Sequence, residues 1–180
     1  METKSLKGKK FYVLDDGYVC LVDVMGDDKA IVQAAKISYG KKEIGSKADV
    51  RRIIRNLMRW GHTSPFEMVE LKFLIKTPMY VWRQWIRHRT ANVLERSTRY
   101  SQALEEMHMT RPGEWRSKEE LTEETRQELT KLEYSVLSLN QDMYKYRLGL
   151  GIEKEQARKD LPLSTYTEAY WKIDLHNLLH

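Results

Sequence analysis

Hydrophobic positions recur with a period of two in some stretches of this chain and with a helical period in others. Phe11 to Met25 reads as two strands around Asp15-Asp16-Gly17, a turn sequence that favours a hairpin. In the second strand Cys20, Val22 and Val24 make one apolar face, expected to be core. Val19 and Leu21 begin the other face, which opens to water or a polar partner at Asp23. Asp27 or Asp28 caps a helix to about Ser38, with Ala30, Ile31, Ala34 and Ala35 available to pack. Gly40 to Ser46 reads as a loop. Val50 to Trp60 then carries Ile53, Ile54, Leu57 and Met58 at helical spacing, and Gly61 stops it. Ser64, Pro65 and Glu67 have the form of a capping box on a single turn. Val69, Leu71, Phe73 and Ile75 alternate with Glu70, Lys72, Leu74 and Lys76, which predicts a strand.

Thr77-Pro78 begins a predicted helix through His88, with Thr77 as its cap. After Arg89 the helical period is lost, and a polar loop carries Glu95, Ser97 and Arg99. Gln102 to Arg116 reads as a surface loop pinned by Trp115. Ser117 and Glu120 then cap a long helix. Its seam of Leu129, Leu132, Val136, Leu139, Met143 and Tyr146 is core or subunit contact, and Gly149 and Gly151 end it. Glu153 to Lys159 is a short helix broken by Leu161-Pro162. Thr165 and Glu168 cap a last one, with Tyr166, Ala169, Tyr170, Ile173, Leu178 and Leu179 as its stripe. The sum is α+β: one domain over residues 1–180, with a small antiparallel or mixed sheet and several packed helices.

The chemistry concentrates between Gln84 and Ser101. On a helix, Arg83, Gln84, Arg87 and His88 share one face, and Trp82, Trp85 and Ile86 another with Val81 and Met79 beside them. One side can pack rigidly while the other presents guanidinium and imidazole. Guanidinium matches phosphate or carboxylate in bidentate geometry, and neighbouring cations repel unless an anion is shared. A nucleotide phosphate, a cofactor pyrophosphate or nucleic acid would supply that anion.

Composition narrows these options only slightly. In 180 residues, 31 basic and 26 acidic side chains leave a net charge of +5, which favours anionic ligands without choosing among them. No apolar run reaches membrane-spanning length, and the basic, polar start from Met1 to Lys10 is not followed by a secretory signal core. The single Cys20 excludes an internal disulfide and fits a reducing, cytoplasmic setting; its apolar surroundings mark it as buried filler. Five histidines and one cysteine show no metal-ligand spacing, so no metal is expected. No glycine-rich dinucleotide fingerprint lies between a strand and a helix.

Arg87-His88-Arg89, seven residues, then Ser97 and Thr98-Arg99-Tyr100-Ser101, resembles the RHR-x7-S signature of the flavin-dependent thymidylate synthases. The stretches GYVCLVDVMGDD and AAKISYG, His62-Thr63-Ser64-Pro65-Phe66-Glu67, and ARKDLPLSTYTEAYWKIDLHNLLH are also similar to that family. The resemblance implies reductive methylation of dUMP to dTMP, with methylenetetrahydrofolate as carbon donor and FAD, recharged by NADPH, as hydride donor. It implies a homotetramer with sites between subunits. It carries FAD contacts onto Ser64, Arg87, His88, Arg89, Glu95, Asp174, His176 and His180. It carries dUMP contacts onto Gln84, Trp85, Ile86, Arg87, Glu95, Arg96, Ser97, Thr98, Arg99 and Arg158, and places His62 and Glu67 on the folate and flavin side. Two polyanions side by side would draw Arg87, Arg89, Arg99 and Arg158 into one pocket. Arg96 departs from the family's usual aromatic or apolar residue, and is either a surface residue or extra help for phosphate.

Ser97 is a candidate nucleophile only with an adjacent base; His88 is the available one, with no orienting carboxylate, so Ser97 reads as a nucleotide hydrogen-bonding group. Asp174 would repel a pyrophosphate unless shielded. Family members continue past the matched region with an LRxDxHAQ-like segment that this sequence does not contain. Truncation, completion by a partner fragment, or a shortened homologue that binds flavin and nucleotide without full turnover would each account for that, and truncation is the preferred reading. A basic nucleic-acid-binding module is the further alternative, although no helix-turn-helix, RRM or zinc pattern supports it and no nucleic acid is expected.

Overall fold

The computed structural model describes residues 6–38, 40 and 43–180. Its centre is a five-stranded sheet in the order β1-β2-β3-β5-β4, antiparallel throughout. The strands are β1 (Lys10–Val13), β2 (Gly17–Met25), β3 (Glu70–Pro78), β4 (Asn92–Glu95) and β5 (Tyr166–Asp174). The helices are α1 (Asp28–Ile37), α2 (Lys47–Arg59), α3 (Met79–Trp85), α4 (Glu123–Gly149), α5 (Lys154–Ala157) and α6 (Leu175–Leu179). The α+β expectation is met, and among the described residues no helix is long and apolar enough to cross a membrane.

The hairpin forms at the expected turn, pairing Val13 with Gly17. Its core face does not survive intact. A bulge at Val22 shifts the register between Leu21 and Asp23, so Cys20 lies opposite Leu74 whereas Val24 lies opposite Leu71. Directly paired residues share a face of a sheet, so Cys20 and Val24 point to opposite sides. Val24 and Leu71 join the helix-covered side, packing with Ile31, Phe66, Val69, Ile54 and Leu57. Ile75, Ala169, Trp171, Ile173 and Trp82 continue that layer.

Local chemistry explains most helix starts. Asp27 caps α1 by accepting from the Lys29 and Ala30 N–H groups. Ser46 and Asp49 form a reciprocal capping box on α2, three residues before its predicted start at Val50. Positions 41 and 42 of the predicted Gly40 to Ser46 loop lie outside the described residues. Ser64 does not cap: residues Ser64–Met68 form a 3₁₀ turn after Thr63, without a side-chain cap. Thr77 does not cap α3 either, because it is a buried strand residue paired with Thr167. Thr122, not Ser117, caps α4.

The largest departure is at the end of the chain. Tyr166 to Asp174, expected as a helix, is a central strand. It is rich in aromatic and β-branched residues, and Thr167, Ala169, Trp171 and Ile173 alternate with Tyr166, Glu168, Tyr170 and Lys172, the period of a strand. With β5 central, the polar loop expected around Glu95 becomes its edge neighbour β4. The α4 seam is also not core within one chain. Leu137 and Tyr144 are buried, whereas Leu132, Val136, Leu139, Met143 and Tyr146 are exposed, Leu139 by 68%.

Candidate functional site

Helix α3 lies on the sheet through Trp82 and Trp85, and it is short for a structural reason. Its first N–H groups, of Met79 and Tyr80, donate to the carbonyls of Thr165 and Leu163 at 3.0 and 2.9 Å. Its end tightens: the Arg87 and His88 N–H groups reach back only three residues, to Gln84 and Trp85. The chain then turns into β4. The helix therefore stops before Arg87, and the single cationic face expected from Arg83 to His88 is not made. Two clefts flank the turn instead.

The first cleft, about 800 Å³, is lined by Met79, Trp82, Arg83, Gln84, Ile86 and Arg87 on one side. Glu95, Arg96, Ser97, Thr98 and Arg158 line another, and Leu163 with Thr165 to Thr167 forms the floor. Glu95 is held on both oxygens, by Trp82 Nε1–H and by the Thr167 hydroxyl, each at 2.9 Å. Arg158 donates to Thr98 Oγ1 at 2.7 Å. Its turn is tied to the end of α4 by Arg147, which donates to the Ala157 carbonyl and pairs with Asp160. Arg96 pairs with Glu168 at 3.4 Å and donates to the Gln102 carbonyl, so it is a structural tie at the cleft rim.

Behind the floor, the Tyr166 hydroxyl donates to Asp15 in the hairpin turn, and His108 Nδ1 meets the same carboxylate at 3.1 Å. Burial pushes the Asp15 carboxyl up, but bonds from Tyr166, the Met109 N–H, His108 and the Asp16 N–H outweigh it and bring it down to about 2. The same burial and carboxylate push the Tyr166 phenol well above its usual range. Tyr166 is therefore a fixed, neutral wall of the cleft.

The second cleft, about 550 Å³, is lined by Trp85, His88, Arg89, Thr90, Trp171, Ile173, Asn177, Leu178 and His180. The Trp85 and Trp171 rings meet edge to face, with centroids 5.5 Å apart. Trp85 thus lines this cleft and not the first. Arg87 and Arg89 enter no ion pair among the described residues.

Four arginines do not converge on one pocket within this chain. Arg87 and Arg158 line the first cleft and Arg89 the second. Arg99 pairs with Glu155 at 3.1 Å and lines neither. Ser97 Oγ accepts the Arg99 N–H at 3.3 Å, with no hydrogen bond to His88, so nothing here activates it as a nucleophile. Asp174 caps α6, accepting from the Asn177 N–H and side-chain amide. Burial pushes its carboxyl up, but the Asn177 bonds outweigh this and lower it. His176, the next residue but one, does not line the second cleft.

His62, Ser64 and Glu67 are exposed around the 3₁₀ turn that packs on α6, outside both clefts. Among the described residues, no group of His, Cys, Asp or Glu is placed to hold a metal ion. Sequence reasoning missed Trp82 and Thr165 to Thr167 in the first cleft and Trp171, Asn177 and Leu178 in the second. The period-two pattern of β5 was the signal that would have found those on the strand.

Comparisons with known proteins identify the family and the fold. Residues 20–180 match the family model described as thymidylate synthase complementing protein. The chain is 47% identical to a flavin-dependent thymidylate synthase of Thermus thermophilus over 176 residues, covering 93% of this chain and 63% of the relative. It is 44% identical to one of Ehrlichia ruminantium over 188 residues, covering 99% of this chain and 63% of the relative. The chain therefore spans somewhat under two thirds of the length of these curated relatives. Among solved structures it is similar to the UMP/dUMP methylase PolB of Streptomyces cacaoi bound with 5-Br dUMP, with a TM-score of 0.79 and 30% identity, covering 93% of this chain and 77% of that one.

Proposed function

The chain belongs to the thymidylate synthase complementing protein family, that of the flavin-dependent thymidylate synthases. From this premise we propose that it methylates dUMP reductively to dTMP, with methylenetetrahydrofolate giving the carbon and FAD, reduced by NADPH, giving the hydride. The observation that carries the reading is the pair of clefts either side of the Gln84 to Thr90 turn, one polar with uncommitted guanidinium and one aromatic.

In this reading dUMP lies in the first cleft. Arg87 and Arg158 neutralise its phosphate, Gln84 and Ile86 orient it, and Ser97 and Thr98 offer hydrogen bonds at the loop. Glu95 acts by bracing Trp82 and Thr167, and not as a free ribose acceptor. The second cleft fits a flavin. Indole rings suit an aromatic ring system, His88, Arg89 and His180 suit its phosphates, and Trp171 Nε1 is buried without a partner among the described residues. Bound there, FAD would supply the hydride; the chain's own residues hold it beside dUMP and exclude water. His62, Ser64 and Glu67, across α6, would face the folate.

We read residues 1–180 as one such domain working in the cytoplasm as a homotetramer. The exposed α4 stripe from Leu132 to Tyr146 is its subunit contact. Leu139→Glu should then reduce the particle size in light scattering, and an unchanged mass would remove that assignment.

The activity is tested on purified protein supplied with FAD. It should be yellow, and oxidation of the NADPH-reduced protein should depend on dUMP and methylenetetrahydrofolate and yield dTMP. A colourless protein that takes up no added FAD would refute the reading.

A further inference from the structure

We propose that Thr165 is a further nucleotide contact, its hydroxyl completing a hydrogen bond to the uncharged end of dUMP, at a sugar hydroxyl or a uracil carbonyl. The proposal rests on the reading of the first cleft as the dUMP site. Among the described residues, three buried side-chain polar atoms have no hydrogen-bond partner: Ser164 Oγ, Thr165 Oγ1 and Trp171 Nε1. Thr165 is 1% exposed and lines the first cleft. A buried hydroxyl without a partner is destabilising, and valine would fill the same space without that cost.

Ser164 Oγ, next to it in the chain, is likewise without a partner, and the polar atoms that line the cleft around Thr165 already donate elsewhere. The Tyr166 hydroxyl is on Asp15, and Trp82 Nε1 and the Thr167 hydroxyl are on Glu95. Its backbone is committed as well. The Thr165 N–H donates to the Pro162 carbonyl, and its carbonyl accepts the Met79 N–H, each at 3.0 Å. The residue is therefore pinned in place on the lining of the cleft, with one side-chain hydroxyl left over. Arg87 and Arg158 suit the phosphate. A neutral hydroxyl, able both to donate and to accept, suits the sugar and base.

Thr165→Val removes the hydroxyl at nearly constant shape. In titration calorimetry on the purified chain, dUMP affinity should fall about 5- to 10-fold. Thr165→Ser should restore it, and the ligand-free valine variant should melt no lower than the parent. With 2′,3′-dideoxy-UMP, loss of the difference between parent and variant assigns the bond to the sugar, and a retained difference assigns it to uracil; both outcomes support the proposal. Equal dUMP affinity in parent and Thr165→Val overturns it, as expected of a hydroxyl that meets only solvent. Weakened binding together with a markedly lower melting temperature also counts against it, because a structural role then explains the loss. If the parent itself does not bind dUMP, the reading of the cleft fails, and the proposal with it.

Discussion

The two clefts share one turn of backbone yet are built on different principles. The first is held by hydrogen bonds: Glu95 is braced by Trp82 and Thr167, Tyr166 is fixed by Asp15, and Arg158 is steadied by Thr98. The second is held by packed rings, Trp85 against Trp171 and Trp171 against Phe73. The first can therefore discriminate polar groups by position, while the second offers area and shape. Helix α3 makes both possible by stopping at Trp85, which sends Arg87 to one side and His88 and Arg89 to the other.

The sharpest test of this division is Arg87→Ala. Removing a guanidinium from the first cleft alone should weaken dUMP about 100-fold while changing FAD retention less than about threefold. Equal loss of both ligands, read by calorimetry and flavin absorbance, would erase the distinction. The converse variant, Trp85→Ala, should loosen FAD about tenfold by removing one of the packed rings, with dUMP affinity nearly kept.

Glu95→Gln comes next. It replaces one acceptor oxygen with a donor facing Trp82 or Thr167, and should cost about 1 kcal/mol, or about 3 °C in melting temperature. The loss should be confined to the hydrogen-bonded cleft, leaving FAD retention unchanged. The smallest effect is expected from acid. The folded Asp15 carboxyl titrates near 2, below its ordinary 3.8. Its contribution is thus fully present above that ordinary value and is lost as pH falls toward 2. Asp15→Asn should flatten that part of the stability curve, and an unaltered acid limb would show that Tyr166 does not depend on Asp15.

Much was legible without coordinates because it depends on near neighbours in the chain. The Asp15-Asp16-Gly17 turn, the Asp27 cap and the alternation of β3 each involve a few adjacent residues, and each forms. The RHR-x7-S spacing likewise pointed to the right family. The bulge at Val22 was not legible, since only pairing with β3 reveals that the strand changes face. The strand character of Tyr166 to Asp174 was visible in its alternation, but apolar residues at Tyr166, Ala169, Tyr170 and Ile173 also satisfy a helical stripe. Its place between β3 and β4 decided between the two.

Sequence alone determined that guanidinium and aromatic side chains would be concentrated between Gln84 and Ser101, because charge and side-chain shape belong to the residues themselves. Tertiary structure decided where each arginine goes. Arg99 is taken by Glu155, Arg96 by Glu168, and Arg158 arrives from a distant turn to meet Thr98. Partners that lie far apart along the chain are chosen by the packing of β5 and α3, and no local pattern encodes that choice.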